Sequence, residues 1–448
     1  MNVLKLSACV PVLVRTQCPS LILRIAALVM VIVAPFSRTM AADNALTINE
    51  AVRLAAERAP MLLARQSSRV AASEDLVRSD ALPDPTLTLG VQNLPIGGQD
   101  AFTVSRDRMT MRRIGLSQAL PSRSKRDARR EFAHARLEQA DAEALATALD
   151  IKRATARAWV HRWAAEKERD LLGELREQAG LSVQATQARL RGGSGSASDA
   201  LAARSAELEL QNRIDEADVR IEQAHAGLER WLGELPERAL APPPDFSRAP
   251  FQEAELLADL DRQGPLLSWD AREAAAAAAV ALARAEKRPD WSVSAGVARR
   301  GAGASNVIWL EVGVGLPLFS GNRQDRGVSA RTADLDAIRA TREDARRMQA
   351  ESIRKDFALW EGLIRQEVRL RDTLLPLSRD RSRTALAAYA GGASLQDWLD
   401  ARRDEIDTRI DYAEVLARWG QAWVELAYLL PDTDVDSAHS PITQESTR

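Results

Sequence analysis

Pro289-Asp290-Trp291-Ser292-Val293-Ser294-Ala295-Gly296 decides the fold, because the chain has already written a version of it as Pro83-Asp84-Pro85-Thr86-Leu87-Thr88-Leu89-Gly90. In the later copy Trp291, Val293, Ala295 and Val297 alternate with Ser292, Ser294 and Gly296. That period of two is the mark of a strand with one apolar face and one small or polar face. The earlier copy alternates Leu87, Leu89 and Val91 with Thr86, Thr88 and Gly90, over about 86–92. A second strand follows each first one. After a long polar loop at 93–108 it spans about 109–118; after the strand at about 290–298 it spans about 306–316. Ile308, Leu310, Val312, Val314 and Leu316 alternate there with Trp309, Glu311, Gly313 and Gly315, which puts Glu311 on the face turned to water. Adjacent Arg112 and Arg113 blur the alternation of 109–118 and leave its register open. The repeated unit is about 200 residues long.

A long Ala-rich helical run follows each strand pair, at 123–190 and 323–390, and each ends in a double glycine, Gly192-Gly193 and Gly391-Gly392. About seventy helical residues reach about 100 Å, more than a globular domain holds. Past each double glycine an Asp marks a helical restart, Asp199 and Asp397, and return helices are expected over 198–235 and 394–430, ended by Pro236 and Pro431. Alanine allows close helix packing and the dense Arg, Glu and Asp suit exposed faces, so the runs form two antiparallel hairpins. Thr47 and Glu50 have the spacing of a capping box that opens an N-terminal helix. Pro60 interrupts it, and a second run from 61 to about 81 stops at Pro83. Residues 236–264, with Pro242-Pro243-Pro244 and Pro250, form an inter-repeat equatorial linker with a short helix around 253–260, and Pro265 opens the second repeat's N-terminal helix. The organisation is thus 1–42, a first repeat at 43–235, the linker, a second repeat at 265–430, and a polar, disordered tail at 431–448.

Tilted strands of about ten residues match the hydrocarbon thickness of a bilayer. Four of them cannot close a barrel, and an open sheet in lipid leaves unpaired backbone groups at both edges. Three chains supply twelve strands, an acceptable even number. The competing reading is two half-buried hairpins of soluble sandwiches, which the length of the helices disfavours.

Only 4% of the chain is aromatic, which suits long packed helices better than compact globular cores. Residues 1–42 carry Lys5, Arg15, Arg24 and Arg38 but no acid, around an apolar run at 21–34, and end in Met40-Ala41-Ala42-Asp43. This is the pattern of a secretory signal cut after Ala42; the alternative, a membrane anchor, needs about 20 apolar residues. Both cysteines, Cys9 and Cys18, fall in that segment, so the mature chain has no thiol for a disulfide, a nucleophile or a metal. Arg15-Thr16-Gln17 before Cys18 lacks the small apolar residues that precede a lipidated cysteine. Without the signal, 57 basic and 63 acidic residues remain, a formal charge of −6 that gives no sign of nucleic-acid binding.

Four membrane-length strands, two long hairpins and the duplicated order together resemble the TolC-type outer-membrane factor family, over 43 to about 430. Ala81-Leu82-Pro83-Asp84-Pro85, Asn93-Leu94-Pro95, Gly115-Leu116-Ser117-Gln118-Ala119-Leu120-Pro121, Leu228-Glu229-Arg230-Trp231-Leu232-Gly233 and Asn322-Arg323-Gln324 resemble its heavy-metal efflux branch. The resemblance implies a mainly α chain with a transmembrane β part. Three copies would form a twelve-stranded outer-membrane barrel on a periplasmic α-barrel, the exit duct for an adaptor (membrane fusion protein) and a proton-driven inner-membrane pump of the resistance-nodulation-division type. It further implies that the turns at Gly192, Gly193, Ser198 and Asp199, and at Gly391, Gly392 and Ser394, dock the adaptor; the bland alternative is that they only reverse the chain. Gly193-Ser194-Gly195-Ser196 departs from the family's turn by insertion. Asp397 and Asp400 match the acids that constrict the entrance, three apart and so on one helix face, where a solvated surface is the competing reading. The first repeat has Asp199 but Ala202 and lacks the second acid.

No enzymatic site is legible. His134, His161, His225 and His439 are isolated from one another and from any Cys at ligand spacing, so no metal site and no cofactor are expected. Met109 and Met111 are read as lipid-facing strand residues rather than soft-cation ligands. No phosphate loop or serine elbow is present. Alternatives for the whole chain are the same channel carrying drugs or serving type I protein secretion, or a soluble periplasmic coiled-coil scaffold or adaptor. An adaptor carries one hairpin flanked by small β-rich domains, whereas this chain has two, each preceded by paired strands.

Overall fold

The computed structural model describes residues 45–233 and 238–431. The signal segment, Pro236 and the tail beyond 431 lie outside the described residues. The first repeat holds α1 (Ile48–Arg58), α2 (Pro60–Arg78), β1 (Thr86–Gln92), β2 (Met111–Leu120), α3 (Arg123–Gly173), α4 (Arg176–Arg191) and α5 (Ala197–Leu232). A short α6 (Glu253–Ala258) lies in the linker. The second repeat holds α7 (Trp269–Ala285), β3 (Trp291–Arg300), β4 (Val307–Val314), α8 (Gln324–Arg369), α9 (Leu375–Ala390) and α10 (Leu395–Ala427). The chain is mainly helical with one small sheet.

The four strands form that sheet in the order β1-β2-β3-β4, every pair antiparallel. Register settles what Arg112 and Arg113 left open. Thr86, Ser117, Ser294 and Glu311 form one lateral row, and Thr88, Gly115, Gly296 and Trp309 the next. Rows of opposite parity are apolar: Leu87, Leu116, Ala295 and Leu310, then Leu89, Ile114, Val297 and Ile308. One face is therefore a continuous apolar surface with its large side chains exposed. On the other face Trp309 lies across Gly115 and Gly296, and the Arg113 guanidinium sits 4.1 Å from its ring centroid. Met111 pairs with Arg300 and shares Arg113's face, while Met109 precedes the strand. Neither methionine belongs to the apolar face, because the strand begins at Met111 and parity then sends Ile114 and Leu116 there.

The long helical runs are not continuous. The first breaks at Glu174 and Leu175; the second carries a π-turn at Leu370–Leu374 just ahead of Pro376, which has no N–H to donate to the preceding turn. Each break leaves a 16-residue lower helix, α4 or α9, before its double glycine. The α3 helix receives α1, α2, α5, α7 and α10, while α8 packs on α7 and α10.

The main core lies where the repeats meet. The linker's Phe246 stands edge-on to Trp163 and Trp419 with centroids 5.7 Å away, and 5.4 Å from Trp423. Trp159 Nε1–H donates to the Leu46 carbonyl, Trp360 to Phe246 and Trp423 to Arg248, so indoles from three long helices pin the flanking segments. Thr47 accepts from the Glu50 N–H as a helix cap should, but the Glu50 carboxylate binds Arg238 at 2.8 and 3.0 Å rather than closing the box. Arg238 holds that carboxyl below its ordinary pKa, against the opposing effect of burial. The second repeat's N-terminal helix starts at Trp269, not Pro265, because 263–268 forms tight turns around buried Gln263.

A Cβ on Gly296 would meet the Ile114 carbonyl, the Gly115 Cα at 2.7 Å and Trp309 Nε1 at 2.7 Å; one on Gly90 would meet nothing within 4 Å. Gly296→Ala is therefore expected to cost about 1–3 kcal/mol, and Gly90→Ala much less. Thermal melts of the two purified variants check this, and equal melting temperatures would contradict the packing described.

Candidate functional site

Two helix reversals share a detailed geometry. Gly192 and Gly391 end α4 and α9 at φ −78° and −82°; Gly193 and Gly392 follow at φ +73° and +103°, a region that side-chain-bearing residues avoid. The next N–H, of Ser194 or Ala393, bonds back to the Arg189 or Ala388 carbonyl at 3.0 Å, a Schellman arrangement in both repeats. Ser394 caps α10 by accepting from the Gln396 N–H at 3.1 Å. In the first repeat the cap is Ser196, which accepts from the Asp199 N–H at 3.0 Å, and Ser198 is exposed in the first turn of α5. Ser196 follows Gly193 by three residues where Ser394 follows Gly392 by two, and each cap stands three residues before its Asp, Asp199 or Asp397.

Asp397 and Asp400 line one groove between α9 and α10, together with Asp380 and Arg381. Asp397 is exposed and its carboxylate has no ion-pair or hydrogen-bond partner among the described residues. Asp400 accepts from Gln396 Nε2 at 2.8 Å and lies 3.8 Å from Arg403, which in turn lies 3.8 Å from Glu209 of α5. Arg381 is occupied by Asp404. The pair thus presents one satisfied and one free carboxylate to the groove.

The turns are tied to each other by residues the sequence did not single out. Arg189 of α4 donates to the Tyr389 carbonyl at 2.7 Å and places its guanidinium 4.5 Å from the Tyr389 ring centroid. Tyr389 stacks on Trp398 at 6.3 Å and 16°, and Leu395 completes this buried cluster beneath Asp397 and Asp400. Tyr389 and Trp398 sit nine residues apart across the double glycine, the signal from which this pair was readable.

Above the turns, the helix breaks are held by buried charge. Arg402 and Arg409 of α10 reach the carbonyls exposed where α3 stops: Arg402 donates to Leu175 O at 2.8 Å and Arg409 to Leu171 O at 2.9 Å. Glu405, 2% exposed, lies between them and accepts from both at 3.1 and 3.0 Å. Burial pulls the Arg402 guanidinium below its ordinary pKa, and Glu405 opposes that shift. At the π-turn the buried Glu367 accepts from Arg371 and from the Tyr412 hydroxyl at 3.3 Å. Burial first, then Glu367, pushes the Tyr412 hydroxyl up to about 12, so it stays a donor at neutral pH.

Glu311 is exposed on the sheet face that carries Ser294, Ser117 and Trp309. Among the described residues no group of three or more His, Cys, Asp or Glu side chains is placed to hold a metal ion, and no helix is long and apolar enough to cross a membrane. A sheet with one apolar exposed face, joined to two long helical hairpins, defines a class of membrane-channel subunit. The chain belongs to the outer membrane efflux protein family, whose sequence model matches residues 51–234 and 260–430. It is accordingly an outer-membrane protein of a family of channels. Its fold is similar to that of a membrane protein from Pseudomonas aeruginosa, at 20% identity and TM-score 0.72 over 85% of this chain and 92% of that one. It is similar too to the CmeC outer membrane channel of Campylobacter jejuni, at 14% identity and TM-score 0.71 over 87% and 88%. CusC, whose structures concern folding and transmembrane channel formation, has 16% identity and TM-score 0.71 over 85% and 90%. No curated protein matches the chain in sequence.

Replacing Glu405 by Gln leaves two buried guanidinium groups without their shared counter-charge. The expected loss is about 3–5 kcal/mol, whereas Asp397→Asn, at an exposed site, changes stability by less than about 0.5 kcal/mol. Denaturation of both variants distinguishes a structural cluster from surface charge; similar small effects would remove the cluster from the account.

Proposed function

We propose that three copies of the chain close a twelve-stranded barrel and form the exit channel of a tripartite efflux system for heavy-metal cations. The observation that carries this reading is the sheet, with its apolar face exposed and its outer strands β1 and β4 each paired on one side only. A neighbouring chain's β4 satisfies β1, and the same pairing repeated closes the ring without leaving backbone groups in lipid. The other members are a periplasmic adaptor and a proton-driven inner-membrane pump of the resistance-nodulation-division type. The adaptor docks on the turns at Gly192, Gly193, Asp199, Gly391, Gly392 and Ser394, where absent side chains let a partner helix approach the backbone. Ser198, exposed beside them, belongs to the same surface.

Asp397 and Asp400 form the entrance gate. Across three chains they bring six carboxylates to a narrow mouth, which favours cations and repels anions. Opening moves α9 and the lower part of α10 outward below the π-turn, where regular helix hydrogen bonding is already interrupted. Glu311 faces the barrel lumen. The free carboxylate of Asp397 and the motifs shared with the heavy-metal branch support a metal cargo over drugs.

In planar bilayers the wild-type pore is expected to be blocked from the periplasmic side by multivalent cations. The double variant Asp397→Ala/Asp400→Ala should weaken that block by about tenfold or more. Unchanged block would remove the two acids from the gate. For the cargo, a strain lacking the chain should lose resistance to heavy-metal salts and keep its resistance to drugs; the reverse pattern would overturn the metal reading.

A further inference from the structure

The apolar face of the sheet ends in an arrangement that packing alone does not explain. Arg112 of β2 and Arg299 of β3 are direct partners in register, on the face that carries Ile114, Leu116, Val293 and Val297. Side chains so paired have Cβ atoms about 5 Å apart, and like charges directly opposite one another are destabilising. Both arginines are exposed and neither has a carboxylate within ion-pairing range among the described residues. The nearest acid in sequence, Asp107, is engaged by the Met109 N–H at 3.2 Å and the Thr110 hydroxyl at 3.3 Å. Arg113, the neighbour on the opposite face, is by contrast provided for, by Gln92 at 2.6 Å and by Trp309.

The position along the strand says what the missing counter-charge is. Trp291 and Arg299 are on the same face of β3, and the eight residue steps between their Cα atoms span about 27 Å along the strand. A strand tilt of about 40° lowers that to about 21 Å, and the length of the side chains at the two ends brings it to about the height of the apolar band of an outer-membrane barrel, about 25 Å. Trp291 lies at the end from which α3 and α7 extend, the place of an interfacial aromatic residue. Arg112 and Arg299 lie at the other end, beside the connections 93–110 and 301–306, where the helices do not reach. The pair therefore sits at the headgroup level of the outer leaflet, pointing into lipid.

We infer that Arg112 and Arg299 form a binding site for the phosphate of a phosphorylated glycolipid of the outer leaflet. Two guanidinium groups held side by side on adjacent strands give a fork on each flank of one phosphate, and the anion removes the repulsion between them. The acyl chains of the same molecule run down the apolar rows below, along Ile114, Val297, Leu116 and Ala295. The inference rests on the outer-membrane reading of the sheet and not on the cargo or the gate.

The full chain, placed in phosphatidylcholine nanodiscs, is titrated with diphosphoryl lipid A and with the same lipid dephosphorylated, and binding is read by native mass spectrometry. Wild type should prefer the phosphorylated form by about tenfold or more. The double variant Arg112→Gln/Arg299→Gln should lose that preference, and Arg112→Lys/Arg299→Lys should keep part of it. Inorganic phosphate at millimolar concentration should not compete; if it did, the site would be one for free anions and the lipid assignment would fall. Equal binding of the two lipids by wild type, or an unchanged preference in the glutamine variant, would overturn the inference. Pore formation in parallel bilayers separates the causes. Pores without lipid preference sink this site alone, while absence of pores sinks the membrane reading with it.

Discussion

A backbone N–H or C=O inside a bilayer has no water to bond, and β1 and β4 each present such groups along one edge. Everything else in the chain is arranged around that constraint. Duplication supplies two hairpins, and the β2–β3 pairing joins them, so that a single chain has two edges rather than four. The face left to lipid is apolar because strand parity sends Leu89, Ile114, Val297 and Ile308 to one side. The other face can hold Trp309, with Arg113 over its ring, only because Gly115 and Gly296 leave room for the indole.

The helical part solves a different problem, that of changing direction without losing backbone bonds. At its break α3 exposes carbonyls inside the protein, and Arg402 and Arg409 satisfy them at the cost of two buried charges that Glu405 offsets. The second repeat uses a π-turn and Pro376 instead. The two hairpins are thus equal in length below the break and unequal in how they are held there.

Much of this was legible in the residues. Alternation at 291–297 fixed strand type and face, and the double glycines fixed the reversals, because both signals are local and follow from sterics alone. What escaped depends on distant partners. Arg402, Glu405 and Arg409 have the three- and four-residue spacing of a solvated helix face, and nothing local says that a broken helix lies against them. Pro376 did carry a local signal for the π-turn. At Gly193-Ser194-Gly195-Ser196 several serines could cap the return helix, and only the fold chooses Ser196. Phe246, within an irregular Pro-rich stretch, gave no sign that three tryptophans would enclose it.

Closure of the sheet by three chains is the central claim, and hydrogen exchange at its edges tests it most directly. With the protein in lipid nanodiscs, native mass spectrometry should give an assembly of three chains, and the amides of β1 and β4 should exchange as slowly as those of β2 and β3. A single chain in the nanodisc, or edge amides that exchange freely while the central strands stay protected, would contradict it.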